Sequence, residues 1–110
     1  MTDREIALEY LRCFCAGDTE RLKRLLAPDL KFEGTLYSFY SSEEYLASLR
    51  SNPPERCQYN VFSITENTGS VAVFYLYQKP RRVMRIAQLF KIADQQIYEI
   101  LLVFDGRELA

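Results

Sequence analysis

Three cysteines are the first residues of this chain whose chemistry could set a function. Cys13 and Cys15 stand two positions apart in a segment with helical periodicity, and Cys57 follows much later. Two positions on a helix are about 200° apart around the axis, so this pair cannot share a metal ion. The 110-residue chain contains no His, which removes His-ligated zinc, His-assisted triads and an imidazole base. We expect no metal, no cofactor and free thiols, with Cys13 on an apolar stripe that could line a cavity.

Carboxylates and basic side chains supply the next candidates. Glu33 and Glu99 are the acids inside strand-like runs near the expected centre of the fold, where a carboxylate can serve as a general base. Alternation with apolar neighbours favours an outward position for both, with an ion pair to Arg85. A basic cluster at one predicted hairpin either attracts an anionic substrate or is a solvated turn. This cluster consists of Lys79, Arg81, Arg82 and Arg85.

Charge and hydropathy exclude several classes of partner. The chain has 14 Lys and Arg against 15 Asp and Glu, a net charge of −1, which argues against a nucleic-acid or anionic-membrane surface. No apolar run approaches the roughly 20 residues of a membrane span, and the first ten residues lack the pattern of a secretory signal. An odd number of cysteines without an export signal predicts a cytoplasmic protein.

Helix signals dominate the first part of the chain. Thr2 and Glu5 form a capping box that predicts the start of a helix, and Gly17 is a typical helix stop. Asp18 then begins a second helix, which Pro28 is expected to end. These two helices are joined by a short corner.

Strand signals dominate the second part. A third helix is predicted from the capping residues at Ser41 to a point before Pro53. Strands are predicted over 30–33, 57–65, 71–78, 83–92 and 96–104. Three helices on one face of a strongly curved antiparallel sheet, in the order α-α-β-α-β-β-β-β, predict a single α+β domain over residues 1–110.

The last predicted strand is apolar on both faces. Apolar side chains occupy both faces of its segment from Ile97 to Phe104. In a strand with one face in water, apolar and polar residues should alternate. Either this strand is central and fully buried, or the outer face of the sheet is a homodimer interface. We favour the homodimer, because too few elements remain to cover that face.

Four segments together resemble the NTF2-like superfamily, also called SnoaL-like, which has a cone-shaped α+β barrel. They are EYLRCFCAGD at 9–18, LLAPDLKFEG at 25–34, FKIAD at 90–94 and VFD at 103–105. The resemblance spans nearly the whole chain. Its motifs are structural, so they imply a fold and leave the function open.

The ketosteroid isomerases of this superfamily provide a site for comparison. The resemblance places their oxyanion-binding Tyr at Tyr10 and their carboxylate general base at Gly34. Their second oxyanion donor, a protonated carboxylic acid, falls on Gln88. Glycine cannot abstract a proton, so the chain is not expected to be such an isomerase. Tyr10 and Gln88 remain as neutral donors that either bind a carbonyl or hydroxyl of a ligand, or pair with each other as a structural unit.

The resemblance and strand parity together predict an apolar, aromatic-lined pocket. On the last strand they turn Ile97, Leu101 and Val103 towards the dimer. Tyr37 belongs to a loop that, with Phe39 and Tyr40, either forms a lid over the pocket or packs on the third helix. The expected ligand-binding residues are Tyr10, Phe14, Gly34, Tyr37, Phe62, Met84, Ile86, Gln88, Phe90, Tyr98, Ile100, Leu102 and Phe104.

Three functional hypotheses follow. The first is a homodimeric protein that binds a small hydrophobic or aromatic molecule. The second is an isomerase, cyclase or hydrolase of the SnoaL-like group, which needs a carboxylate in the pocket. The third is a protein-interaction module, which predicts an exposed aromatic patch at Tyr59, Tyr75 and Tyr77.

Overall fold

The computed structural model describes residues 1–54 and 57–109 of the chain. The helices are α1 (Asp3–Ala16), α2 (Thr19–Leu25) and α3 (Ser42–Ser51), and a final 3-10 turn spans Gly106–Leu109. The strands are β1 (Leu26–Glu33), β2 (Ser38–Phe39), β3 (Gln58–Asn67), β4 (Ser70–Lys79), β5 (Arg82–Ala93) and β6 (Gln96–Phe104). The predicted α+β class and element order are confirmed, with the two-residue β2 as an addition. Within the described ranges, no helix combines the length and apolarity needed to cross a membrane.

The ends of α1 follow the capping signals in the sequence. The Thr2 hydroxyl accepts the backbone N–H of Glu5 at 3.1 Å, and the Glu5 carboxylate accepts the N–H of Thr2 at 2.9 Å. Gly17 ends the helix in the left-handed region with φ 72°, which glycine adopts without a Cβ penalty. Asp18 then caps α2 by accepting the N–H of Arg21 at 3.1 Å. Together these caps fix the corner between the two helices.

The passage from α2 to β1 occurs earlier than predicted. The second helix ends at Leu25 rather than at Pro28, and β1 begins at Leu26 rather than at position 30. Leu26 is already paired with Ile97 of β6. Tertiary pairing with the last strand therefore outweighs the local helix signal at this junction.

The six strands form one sheet in the order β2-β1-β6-β5-β4-β3. All neighbours are antiparallel except β1 and β6, which run parallel. The predicted curved antiparallel sheet is confirmed, with this one parallel pair as an addition. Parallel neighbours need a long connection, and here α3 and four strands lie between the two in the chain.

The sheet curves around the helices and encloses one buried cluster. Register shifts between Val61 and Ser63 on β3, and at Lys91/Ile92 between β5 and β6, mark β-bulges, which bend strands and strengthen their twist. All three helices contact the sheet on its inner side. The largest fully buried side chains include Ile6, Tyr10, Leu11, Leu22, Leu30, Phe90, Ile97 and Ile100.

The bulge between β5 and β6 reverses the predicted facing at the start of β6. Lys91 pairs with Glu99 and Ile92 with Ile97, which leaves Tyr98 as the extra residue. Ile97 is consequently 0% exposed and Tyr98 is 42% exposed. The predictions of an outward Ile97 and an inward Tyr98 were both wrong, because strict alternation does not survive an inserted residue.

Candidate functional site

A cavity of about 300 Å³ lies between the helices and the concave face of the sheet. Its floor is formed by the inner rows of β4, β5 and β6, its sides by α1 and α3, and its rim by the loop after β1. A volume of this size is at the lower end of the range for small-molecule sites. The fold therefore contains room for one small ligand in each chain.

Nine of the predicted ligand-binding residues line this cavity. They are Tyr10, Phe14, Gly34, Tyr37, Met84, Ile86, Gln88, Leu102 and Phe104. Inner and outer side chains alternate along β5 as predicted, since Met84 and Ile86 are buried while Val83 and Arg85 are exposed. The bulge at the far end of this strand does not disturb its cavity half.

The other four predicted residues lie elsewhere. Phe62 is the extra residue of the β3 bulge and is 60% exposed. Tyr98 is turned outward by the β6 bulge. Phe90 and Ile100 are paired across β5 and β6 and are completely buried. Phe90 instead makes an edge-on contact with Tyr10, with ring centroids 5.1 Å apart, so these two residues support the core behind the cavity.

Buried polar groups meet at the inner end of the cavity. Gln88 is 3% exposed, and its Oε1 accepts a hydrogen bond from the Tyr75 hydroxyl at 2.7 Å. The hydroxyls of Tyr10 and Tyr45 are hydrogen-bonded to each other. All four residues line the cavity. Gln88 thus has the partner that a buried amide requires, but the main partner is Tyr75 and not the predicted Tyr10.

Burial keeps these phenols protonated. It raises the pKa of Tyr10 above its ordinary value, against the effect of hydrogen bonds with Tyr45 and Gln88. Burial likewise raises the pKa of Tyr45 and of Tyr75. At neutral pH the group therefore consists of uncharged donors and acceptors, which suit a carbonyl or hydroxyl oxygen of a ligand.

Carboxylates are missing from the described lining of the cavity. Glu33 forms an ion pair with Lys31 at 3.1 Å, and Glu99 forms one with Lys91 at 3.0 Å. The expected ion pairs with Arg85 were therefore wrong, although both acids do lie away from the cavity. Lys31 is two positions from Glu33 on the same strand, and Lys91 faces Glu99 across the β5–β6 ladder, so each acid has a lysine as its immediate neighbour.

Gly34 permits a close approach at the cavity rim. Its N–H donates to the carbonyl of Tyr37 at 2.8 Å. A Cβ at this position would lie 3.1 Å from Phe32 Cε1 and 3.2 Å from the Tyr37 carbonyl oxygen. Any side chain at the position where the resemblance expects a general base would thus displace Phe32 or the Tyr37 carbonyl by a few tenths of an ångström.

Different residues of the loop after β1 fit the two alternatives, a lid over the pocket and packing on α3. Phe39 packs against Phe32 and Tyr45, with ring centroids 5.9 Å and 5.7 Å apart, as expected for packing on α3. Tyr37 is 67% exposed and lines the rim. Tyr40 is also exposed and does not line the cavity. Only the Leu36–Tyr37 tip is therefore placed to cover the opening.

Several cavity residues were not predicted from the sequence. They are Phe32, Thr35, Leu36, Phe39, Tyr45, Ser48, Leu49, Asn52, Pro54, Tyr75, Tyr77 and Lys79. Tyr75 and Tyr77 belong to the row of alternate buried residues on β4, but the strand is apolar at every position from Val71 to Tyr77, so its sequence does not show which row faces inward. Both are buried, so the exposed aromatic patch suggested for Tyr59, Tyr75 and Tyr77 was wrong.

The cysteines lie beside the cavity rather than in its described lining. Cys13 is buried, and its thiol donates to Glu9 Oε1 at 3.3 Å. Burial is the larger cause and the hydrogen bond to Glu9 the second, and together they raise the pKa of Cys13 to about 11. Cys15 and Cys57 meet with their Sγ atoms 2.6 Å apart. Among the described residues no cluster of His, Cys, Asp and Glu could hold a metal ion.

Comparison with known proteins identifies the architecture. No family profile and no curated protein sequence matches the chain. A solved NTF2-like protein of unknown function from Cytophaga hutchinsonii is similar over 99% of this chain and 95% of its own, with a TM-score of 0.86 and 20% identity. A Kribbella flavida protein, named provisionally as a ketosteroid isomerase, has a TM-score of 0.82 and 18% identity over 94% and 77% of the two chains.

An LEH-like epoxide hydrolase from M. tuberculosis shares the same architecture. Its TM-score is 0.78 and its identity 14%, with 94% of this chain and 82% of that chain covered. Identities of this size establish a common fold and not a common activity. Proteins with isomerase and hydrolase names thus share one scaffold with a protein of unknown function, and the chain described here has the NTF2-like fold.

Proposed function

We propose that this protein binds one small hydrophobic or aromatic molecule in the cavity of each subunit. The observation that carries the proposal is the cavity itself, about 300 Å³ and lined mainly by aromatic and aliphatic side chains. Sites of this kind combine an apolar wall with a few placed polar groups. Gln88 and the three tyrosines around it supply those groups at the inner end.

The polar groups favour a ligand with a neutral oxygen. The phenols remain protonated because burial raises their pKa, so each can donate to a carbonyl or accept from a hydroxyl. An apolar body then fills the space beside Met84, Ile86 and Leu102. Burial of that body supplies most of the affinity.

Binding explains the site better than an isomerase, cyclase or hydrolase activity does. Such reactions on this scaffold need a carboxylate in the cavity, and the described lining contains none. Base catalysis typically contributes about 10²–10⁴-fold to a rate. Gly34, at the expected base position, is closely packed against Phe32 and the Tyr37 carbonyl.

We also propose a cytoplasmic homodimer that associates through the outer face of the sheet. Leu101 and Val103 of β6 are exposed there, opposite Leu89 and Ala87 of β5. Adjacent exposed apolar side chains on one sheet face are typical of an interface. The odd number of cysteines leaves at least one free thiol in the chain, as is common in a reducing compartment.

Two neighbouring substitutions test the binding proposal. Leu102 lines the cavity and Leu101 faces outward on the same strand. We expect native mass spectrometry of the purified wild-type protein to detect a non-covalent small-molecule adduct. Leu102→Trp should fill the cavity and remove the adduct, whereas Leu101→Trp should retain it. An adduct that survives Leu102→Trp unchanged would contradict binding in this cavity.

A further inference from the structure

One positively charged side chain, that of Lys79, lies at the outer end of the cavity wall. Tyr75, Tyr77 and Lys79 follow one another at every second position of β4, so they share its inner face. Tyr77 is buried and all three residues line the cavity. Lys79 Nζ lies 5.9 Å from the centroid of the Tyr77 ring, at the outer limit of a cation–π contact. The ammonium is thereby held against a side chain that forms the wall.

Lys79 is the only charged residue of the described cavity lining. No carboxylate in the described ranges approaches it within ion-pair distance. Arg81 and Arg82 follow it in the turn and at the start of β5, so the local field at this end of the cavity is positive. A half-buried ammonium beside an apolar space is best satisfied by an anion.

We infer that the ligand carries an anionic group of the carboxylate class, which contacts Lys79 at the cavity mouth. This inference rests on the proposed binding function and adds the ligand's chemical class to it. The inner tyrosines and Gln88 are neutral, so the opposite end of the ligand carries a hydroxyl or carbonyl. The ligand is therefore an elongated amphipathic acid with an aromatic or alicyclic body.

The spacing of Tyr75 and Lys79 along β4 gives a scale for the length of such a ligand. Tyr75, which contacts Gln88, and Lys79 are four positions apart on β4. At roughly 3.3 Å per residue, their Cα atoms are separated by about 13 Å. A molecule with two rings in line between its polar ends matches this separation. A hydroxybiphenyl carboxylic acid with its two groups at opposite ends is a suitable probe.

The test compares this acid with its neutral primary amide by isothermal titration calorimetry. We expect the wild-type protein to bind the acid about tenfold more tightly than the amide, because a charge-assisted hydrogen bond is stronger than a neutral one. Lys79→Gln should remove that preference, so that the acid and the amide bind the variant with equal affinity. Arg85→Gln removes one positive charge from the outer row of β5, where Arg85 is exposed, and should keep the preference.

The outcomes separate this inference from the proposed function. The carboxylate contact would be overturned if the wild-type protein bound acid and amide with equal affinity. It would also be overturned if Lys79→Gln and Arg85→Gln reduced the preference for the acid equally. Either result would leave the binding function standing. If neither probe binds the wild-type protein and Leu102→Trp changes nothing in native mass spectrometry, the binding function fails and the inference fails with it.

A second, independent observation concerns two thiols. Cys15 lies in the last turn of α1 and Cys57 directly precedes β3. The two are 42 positions apart in sequence, yet their Sγ atoms are 2.6 Å apart and both side chains are partly buried. This separation is closer to a covalent sulfur–sulfur bond than to an ordinary contact between unbonded sulfur atoms.

We propose that Cys15 and Cys57 form a reversible intramolecular disulfide when a peroxide is present. Burial and the hydrogen bond with Cys57 raise the pKa of Cys15, so Cys57 is the residue that loses its proton and attacks the peroxide. The O–O bond breaks, the Cys57 sulfur becomes a sulfenic acid, and the leaving hydroxide takes up the released proton as water. The second thiol then attacks the sulfenic sulfur, so that the S–S bond forms and a second water leaves. Two thiols are oxidised by two electrons and hydrogen peroxide is reduced to two molecules of water.

The bond would tie two parts of the cavity wall together. Phe14, next to Cys15, lines the cavity. Asn52 and Pro54, in the segment that leads to Cys57, line it as well. A disulfide at this point would connect the end of α1 to the segment that follows α3. Oxidation is therefore expected to restrict movement at that side of the opening.

Intact-mass measurement with matched serine variants tests the disulfide. The folded protein is first treated with hydrogen peroxide and is then denatured and alkylated. We expect the wild-type chain to lose two hydrogen atoms and to retain one thiol that can be alkylated. A reducing agent should reverse this change. Cys13→Ser should behave like the wild type, because Cys13 contacts Glu9 instead, whereas Cys15→Ser and Cys57→Ser should show no such loss. Disulfides between chains, or a bond that includes Cys13, would overturn the proposal.

Discussion

Tyr75 and Gln88 are diagonal neighbours on adjacent strands, joined by a hydrogen bond from the tyrosine hydroxyl to the glutamine Oε1 at 2.7 Å. Tyr75 pairs with Ile86 across the ladder, and Gln88 pairs with Val73, so the two polar side chains reach across one step of the sheet. Both line the cavity and both are buried. The bond fixes the amide at the inner end of the cavity and thereby determines which groups a ligand meets there.

Replacement of the buried amide should destabilise the protein. Gln88→Leu leaves the Tyr75 hydroxyl without its acceptor, and a buried unsatisfied hydroxyl costs about 1–3 kcal/mol. We expect the free energy of unfolding in urea to fall by that amount. Gln78→Leu, at an exposed position of β4, is the control and should change it by less than about 0.5 kcal/mol. Equal effects of the two substitutions would show that the hydrogen bond contributes nothing.

Alkaline pH should destabilise the protein through its buried tyrosines. Burial raises the pKa of Tyr10, Tyr45 and Tyr75 in the folded state, while the unfolded chain releases the same protons near pH 10. Stability is therefore complete below about pH 10 and falls above it, by up to about 1.4 kcal/mol per pH unit for each phenol. Urea unfolding from pH 9 to 11.5 measures the slope, which should be shallower for Tyr45→Phe. A pH-independent free energy over this range would contradict the assignment.

A methyl group at Gly34 should disturb the cavity rim. The Cβ would lie 3.1 Å from Phe32 and 3.2 Å from a backbone oxygen, and backbone cannot yield as a flexible side chain does. We expect Gly34→Ala to lower the free energy of unfolding by about 1 kcal/mol. At Gly106 the nearest atom, Thr35 Cγ2, lies at an ordinary 3.5 Å, so Gly106→Ala serves as the control. A neutral effect at Gly34 would mean that the loop moves freely.

Local chemistry made the helices and most strand positions predictable. The cap at Thr2 and the stop at Gly17 are signals carried by one or two residues, and each acts without help from distant parts of the chain. The junction at Leu26 was not predictable in this way, because it depends on pairing with Ile97. That contact joins two residues that are far apart in the sequence, and no local pattern reports it.

On the strands, cavity residues were predictable only where the alternation of inner and outer side chains is regular. Alternation along β5 correctly placed Met84, Ile86 and Gln88 on the inner face. It failed at Phe62 and Tyr98, because each is the extra residue of a bulge, and an inserted residue changes the facing of its neighbours. The meeting of Cys15 with Cys57 depends on the whole curvature of the sheet.

A charge on the outer face of the sheet should prevent the proposed homodimer. Val103 is exposed there, and Val103→Glu would place two like charges close together across a two-fold interface. We expect light scattering after size exclusion to report a dimer for the wild type and a monomer for this variant. Ala47→Glu, on the exposed side of α3, should remain dimeric. A monomeric wild type would contradict the interface.

Methyl NMR with the hydroxybiphenyl carboxylic acid tests the central claim, a ligand inside the cavity, most directly. The methyl groups of Met84, Ile86 and Leu102 line the cavity, whereas those of Leu101 and Val103 lie on the outer face. We predict saturable shift changes at the first three, with the other two unchanged. Saturable changes confined to Leu101 and Val103, or no change at Met84, Ile86 and Leu102 at millimolar probe, would contradict the account.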